Sequence, residues 1–341
     1  MVGGALGRSI VLLAALALSG GLVACGEKSE TVESTPTAQK LDLTLDWFPN
    51  PDHAAIFEAL HKGYYEQVGL DVKTHAPSDP AAPIKQVAAG RADLAISYEP
   101  EVFLARQQGL PVIAVAALVQ RPLTSLMATA KSKVKSVRDL RGKRVGTAGI
   151  PYQSAYLRTI LKEAGVPASS VKETNVGTSL LPVMLSGKVA ATLGAFWNVE
   201  GIQLRQRGAR PTIIPVDKLG VPDYDELVLV ANSDKLDQTR NDIRLFISAT
   251  ARGADEARRD PSEAVQALRD ANSDLDRKLL DASVKATIPA MFPGDGDAPW
   301  GHMDPAAWRN YAGWMRQNKL IEDLPDVSEA TTNDLLPGEG L

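Results

Sequence analysis

One cysteine in 341 residues, Cys25, leaves no partner for a disulfide and no thiol in the body of the chain for nucleophilic catalysis. No group of His, Cys and carboxylate residues has metal-ligand spacing, so no resident metal is expected. No basic run interleaved with aromatics occurs, and the formal net charge is −4, which argues against nucleic acid as a partner. Beyond the first 25 residues no apolar run is long enough to cross a bilayer. The main body also lacks low-complexity blocks. Its 44% hydrophobic and 23% charged residues are a globular composition, and the length suits two domains with their own cores.

What is present begins with a targeting segment. Arg8 gives a small positive region, and Ile10 to Leu18 is an apolar stretch too short to span a membrane. Leu22-Val23-Ala24-Cys25 then resembles the bacterial lipobox, in which the Cys is lipidated and becomes the mature N-terminus; an ordinary signal peptide with an incidental Cys is the alternative. Residues 1–24 therefore read as a signal peptide and residues 25–40 as a lipidated Cys with a flexible tether, since Gly26 to Lys40 is too poor in large apolar groups to order itself. The mature chain keeps 36 basic residues against 41 acidic ones, a balance of −5 once Arg8 is gone.

From Leu41 onward short apolar runs alternate with helical patterns, the mark of a parallel sheet with covering helices. Leu41 to Leu45 alternates with a strand's period. It hands over at Asp46-Trp47-Phe48-Pro49-Asn50-Pro51-Asp52-His53 to a helical face of Ile56, Phe57, Leu60 and Tyr64, ending near Gly69. A helix is expected from Asp79, and a strand over Ala92 to Ser97 that delivers Tyr98-Glu99-Pro100-Glu101 to a second strand-to-helix corner. Further corners follow Arg144 to Gly149 and Ala190 to Trp197. From Leu236 to Leu320 the pattern is helical throughout, and the acidic tail from Asp326 to Leu341 is expected to be loosely held. The fold class is α/β in two lobes: residues 41–130 with 228–341 form lobe 1, and residues 131–227 form lobe 2. A ligand cleft between them is a favoured binding place.

The lipobox, L-x-W-x-P-N-x-x-H at residues 45–53 and K-G-Y-Y-E-x-x-G-L-D-V at 62–72 resemble the solute-binding lipoproteins of bacterial ABC importers. Within these the chain resembles the group that binds thiamine-pyrimidine precursors, relatives of the fungal enzyme that makes the thiamine pyrimidine. A-G-R-A-D-L-A-I-S-Y-E-P-E (89–101), D-L-R-G-K-R-V-G (139–146) and F-W-N-V-E-G (196–201) extend the likeness over Leu41 to Leu320. The resemblance implies a type II periplasmic-binding-protein fold and non-covalent capture of a small heteroaromatic solute. It also implies permease and ATPase partners, and a lipid-anchored place on the extracytoplasmic face of the bacterial membrane. The expected ligand is hydroxymethylpyrimidine or an aminomethylpyrimidine derivative. The alternatives are riboflavin, a sulfonate- or nitrate-type anion, and pyrimidine synthesis. The fungal enzymes carry a lysine for pyridoxal phosphate where this chain has Ser97, and a cysteine-rich stretch that is missing here. No cofactor and no enzymatic activity are therefore expected.

Trp47 offers a flat plate for stacking a planar ring, worth on the order of 1–3 kcal/mol; the alternative is packing between loop and helix. Asn50 either meets the ligand or caps the helix. His53 either donates to a ring nitrogen or makes a structural contact. Asp46 and Asp52 read as solvated or capping groups. Tyr98, Glu99 and Glu101 form a second cluster, a carboxylate being matched to an aminopyrimidine; the alternative is an acid held by a helix dipole. Phe196, Trp197 and Glu200 repeat that recipe on the second lobe, with Tyr152 as another aromatic for the same face. Gly146 and Gly149 read as a tight turn rather than a phosphate cradle, and Trp300, Trp308 and Trp314 read as packing.

Overall fold

A computed structural model of the protein describes residues 38–293 and 299–338; the expected signal peptide, Cys25 and most of the expected tether lie outside the described residues. From the amino terminus run β1 (Gln39–Thr44), α1 (Ala54–His61), α2 (Tyr64–Gln67), β2 (Leu70–His75), α3 (Pro83–Ala88), β3 (Leu94–Ser97), α4 (Glu99–Gln107) and β4 (Val112–Val119). Next come β5 (Thr124–Ala128), β6 (Arg144–Thr147), α5 (Pro151–Glu163), β7 (Lys172–Asn175), α6 (Leu180–Leu185), β8 (Ala191–Phe196), α7 (Glu200–Gln206) and β9 (Thr212–Pro215). The return strand β10 (Leu227–Asn232) precedes α8 (Leu236–Arg259), α9 (Pro261–Ala271), α10 (Arg277–Met291), α11 (Pro305–Gln317) and α12 (Val327–Ala330).

Two five-stranded sheets result, in the orders β2-β1-β3-β10-β4 and β7-β6-β8-β5-β9. Both follow one plan. Strands β1, β2 and β3 pair in parallel, as do β6, β7 and β8. The strand at each crossing, β10 or β5, enters antiparallel in the fourth place. All eight residues of β4 are buried, which explains its unbroken apolar run. Helix α8 lies directly on α1: a Cβ at Gly253 would stand 2.2 Å from the Ala55 carbonyl oxygen, so only glycine allows that approach. Buried Ala54, Ala55 and Ala59 present the matching small face.

The crossings are tied by one side chain. Fully buried Glu226 accepts through Oε2 from the amides of Leu123 and Thr124, at 2.6 and 2.8 Å, and from the Tyr224 hydroxyl at 2.9 Å. Its Oε1 accepts from the Thr124 hydroxyl at 2.7 Å. The exposed Arg121–Asp223 pair beside it, at 2.8 Å, adds little.

Several expectations need correction. The tether ends earlier, because Gln39 and Lys40 already pair with Leu70 and Asp71. The first helical face is broken at Gly63, whose φ of 65° separates α1 from α2. Helix α3 begins at Pro83 rather than Asp79. Strand β5 belongs to the second sheet, so the first crossing precedes Thr124 rather than following residue 130. The tail is not loose through its described part: Thr331 bridges Ala114 of β4, and Leu335 and Leu336 are buried.

Candidate functional site

The carboxyl ends of β1, β3, β6 and β8 converge on a cleft of about 200 Å³ between the two sheets. Its first-lobe wall is Asp46, Trp47, Phe48, Asn50, Asp52 and Tyr98. Its second-lobe wall includes Ile150, Gln153, Gly194, Phe196 and Glu200, and Leu275 and Leu279 flank it. No lysine or arginine is in this lining among the described residues, whereas three carboxyls are. A larger groove, of about 690 Å³, lies at the opposite ends of β6 and β7. It is lined by Lys131, Lys143, Arg144, Lys172 and Lys188 without an aromatic or an acid. Its charge suits anions, and the strand-end corners do not reach it.

The first corner is rigid for local reasons. Asn50 in extended conformation accepts from the Asp52 amide at 2.8 Å and donates to the Phe48 carbonyl at 3.0 Å. It is thus a cap and lines the cleft as well. Trp47 is half-buried with its ring edge-on to exposed Phe48, centroids 6.4 Å apart. Asp46 is buried rather than solvated: Oδ1 pairs with His53 Nε2 at 2.7 Å, and Oδ2 accepts from the Tyr98 hydroxyl at 2.8 Å. Asp52 is also buried; its Oδ1 accepts from Asn198 Nδ2 at 2.6 Å. Burial, aided by the charges of Asp46, Glu200 and Glu226, holds the Asp52 carboxyl well above the usual range, against the pull of the Asn198 hydrogen bond.

The second lobe supplies Phe196 and Glu200, four residues apart at the end of β8 and the start of α7. Glu200 Oε2 accepts from the Phe196 amide at 2.9 Å, which orients the carboxyl, and burial raises its pKa. Gln153 is fixed by the Ala148 amide, donating to its Oε1 at 2.7 Å. Gly194, at φ 114°, makes room for it, since a Cβ there would stand 2.4 Å from Gln153 Nε2.

Five expected residues lie outside the lining. His53 is fully buried behind Asp46. Glu99, in the first turn of α4, points away to the crossing, where Oε2 accepts from the Asp225 amide at 2.7 Å. Burial beside Asp225 raises its pKa strongly, and burial takes Asp225 to about 7. Glu101 accepts from the Ser97 hydroxyl at 2.9 Å, and burial raises it to about 7. Tyr152 is a core residue, tilted against Tyr98 at 5.3 Å and edge-on to Tyr156 at 5.0 Å. Trp197 is pinned at the crossing by Nε1 donating to the Pro122 carbonyl at 3.0 Å. Conversely, sequence reasoning did not find Gln153, Gly194 and Asn198, and set Asp46 and Asp52 aside. A strand-end position directly before Trp47 was the available signal for Asp46; Asn198 meets Asp52 across 146 positions, and no local pattern announces that.

The NMT1/THI5-like family model matches residues 50–264. A putative thiamine biosynthesis protein of Haemophilus influenzae is 36% identical, the match covering 83% of this chain and 88% of that protein. A formylaminopyrimidine-binding protein of Halalkalibacterium halodurans is 32% identical over 89% of this chain and 92% of its own length. At 24% identity, over 87% of this chain and 92% of that one, stands a 4-amino-5-hydroxymethyl-2-methylpyrimidine phosphate synthase of Legionella pneumophila. Among solved structures, the periplasmic aliphatic sulphonate binding protein of Escherichia coli superposes with a TM-score of 0.65 at 14% identity, covering 87% of this chain and 98% of that one. The architecture is thus the two-lobed one of periplasmic binding proteins, and the chain belongs to the NMT1/THI5-like family.

Proposed function

We propose that this chain is the solute-binding lipoprotein of an ABC importer, capturing a thiamine pyrimidine precursor such as hydroxymethylpyrimidine or an aminomethyl- or formylamino-derivative. The observation that carries the reading is the lining of the cleft: Trp47 and Phe196 from opposite lobes, with Glu200 and Asp52 beside them and no cation among the described residues. Aromatic faces suit a planar ring, and free carboxyl oxygens suit an amine. A ligand whose charge is a sulfonate or nitrate finds no counter-charge there. A cleft of about 200 Å³ falls below the roughly 300–1,000 Å³ of ordinary drug-sized sites, which favours a single ring over a flavin. In this reading Trp47 and Phe196 stack the ring, Glu200 accepts from its amine, and Asn50 and Tyr98 shape the first-lobe wall; Glu99, Glu101, His53, Tyr152 and Trp197 serve the scaffold.

Binding without chemistry is the accompanying assignment. The resemblance to the fungal enzymes implies a pyridoxal-phosphate lysine at the position of Ser97; here that serine is buried and donates to Glu101. Relatives named as binding proteins, and the likeness to a periplasmic one, support the same side. The partners are a permease and an ATPase. Cys25 would carry the lipid that keeps the protein on the extracytoplasmic face of the membrane.

The test is fluorescence titration with 4-amino-5-hydroxymethyl-2-methylpyrimidine, together with native mass spectrometry of the protein as purified. Trp47→Ala should weaken binding roughly 5- to 150-fold, the equivalent of about 1–3 kcal/mol of lost stacking. Unchanged affinity in that variant rejects Trp47 as the plate, and a co-purified anion or flavin rejects the pyrimidine.

A further inference from the structure

The three carboxyls of the cleft differ in what they have left to offer a ligand. Asp46 has both oxygens engaged, one with His53 and the other with Tyr98. Glu200 commits Oε2 to the Phe196 amide. Asp52 commits Oδ1 to Asn198 at 2.6 Å and, more weakly, to the Thr287 hydroxyl at 3.3 Å. Its Oδ2 has no hydrogen-bond partner among the described residues, although Asp52 is only 1% exposed.

A buried carboxylate oxygen without a donor is an expensive arrangement, whereas a neutral carboxyl can carry its proton on that oxygen. The groups facing Asp52 favour the neutral form. Asp46 and its partner His53 come from the same corner, Glu200 from α7 and Glu226 from the crossing just before β10; α10 presents Thr287 and the second-lobe corner presents Asn198. The three acids repel a charge on Asp52, and the Asn198 amide satisfies Oδ1 in either state.

Resting on the functional reading above, we propose that Asp52 is a ligand-reading residue whose Oδ2–H donates a hydrogen bond to a ring nitrogen of the bound aminoheterocycle, while Glu200 accepts from the neighbouring amine. A 4-aminopyrimidine carries that acceptor and donor side by side on one edge. The two readers come from different lobes, so the edge is read in full only when both corners meet the ring. A ring with an N–H at that position, or with an anionic substituent, meets the wrong partner on Asp52 and is selected against.

Asp52→Asn separates the possibilities, because the amide keeps an acceptor for Asn198 and places a permanent N–H donor at the Oδ2 position. Dissociation constants for 4-amino-5-hydroxymethyl-2-methylpyrimidine are measured for both proteins from pH 5 to pH 9. Titration of the ligand affects both alike, so the ratio of wild-type to variant constants reports the Asp52 proton together with its effect on Glu200. At pH 5 the two constants should agree within about threefold, since both side chains donate there, and the ratio rises wherever the wild type loses its donor. A variant weakened at least tenfold at pH 5, or a ratio that falls with pH, overturns the proposal by making Asp52 an acceptor. If the variant does not fold, calorimetry of the wild type in two buffers of different ionisation heat decides: binding must take up a proton in the range where the free Asp52 titrates, and release there overturns the assignment. No binding by either protein at any pH overturns the functional reading, and the inference with it.

Discussion

Glu101→Gln tests whether the carboxyl beside Ser97 is a core group rather than a reader of ligand. The side chain is 5% exposed, and burial lifts its pKa from 4.5 to about 7; the Ser97 hydrogen bond and Lys85 oppose that lift, while Asp46 and Asp79 add to it. The folded state therefore holds a proton that the unfolded chain has already released. Stability contributed by this group is present below the unfolded pKa and falls as pH rises through the folded one. At about 1.4 kcal/mol per pH unit, the loss between pH 4 and pH 8 is roughly 3 kcal/mol. Glutamine keeps an acceptor for Ser97 and has no proton to lose, though its second amide hydrogen needs a place. Urea unfolding of both proteins at pH 4, 6 and 8 should give a variant no better than wild type at pH 4 and roughly 2–3 kcal/mol more stable at pH 8. Pyrimidine affinity should match the wild type throughout. A stability difference independent of pH refutes the buried-proton reasoning, and a loss of affinity restores Glu101 to the cleft.

Glu226→Ala removes four accepted hydrogen bonds from a fully buried position and leaves the amides of Leu123 and Thr124 without a partner. A loss of roughly 3–5 kcal/mol is expected in chemical denaturation, and a loss under 1 kcal/mol would exclude the clamp. Gly194→Ala forces a side chain into the left-handed region and against Gln153. It should cost roughly 1–3 kcal/mol of stability and weaken ligand binding, whereas a variant with wild-type thermal unfolding contradicts the close approach.

The elements easiest to find from sequence were those whose local pattern and long-range role agree. Strand β3 and helix α4 are marked by an apolar run followed by Pro100 in the first helical turn. Strand β7 was invisible because Lys172–Asn175 is a partly exposed polar edge, with no alternation to detect. The sheet to which β5 belongs depends on pairing with β8 and β9, tens of residues away. Within the site, Trp47, Asn50, Tyr98, Phe196 and Glu200 line the cleft as their corner positions suggested. Glu99 and Glu101 share a corner with Tyr98 yet turn elsewhere, because successive positions of a helical turn point about 100° apart. The tail misled for a related reason: its acidic, Gly/Pro-tipped composition hides Leu335 and Leu336, which are buried.

The placement of β10 between β3 and β4 constrains the order in which the chain can assemble. Pairing β10 with β4 closes a loop containing the whole second sheet, and closing so long a flexible segment costs roughly 4 kcal/mol of chain entropy. A second sheet already formed abolishes most of that cost, since its entry strand β5 and exit strand β9 are hydrogen-bonded neighbours, with Ser125 opposite Pro215. Strand β10 then has only the short run after Pro215 to cover before it reaches its slot. Forming the inserted sheet first is thus the route of lower loop-closure cost for bringing β10 to its slot.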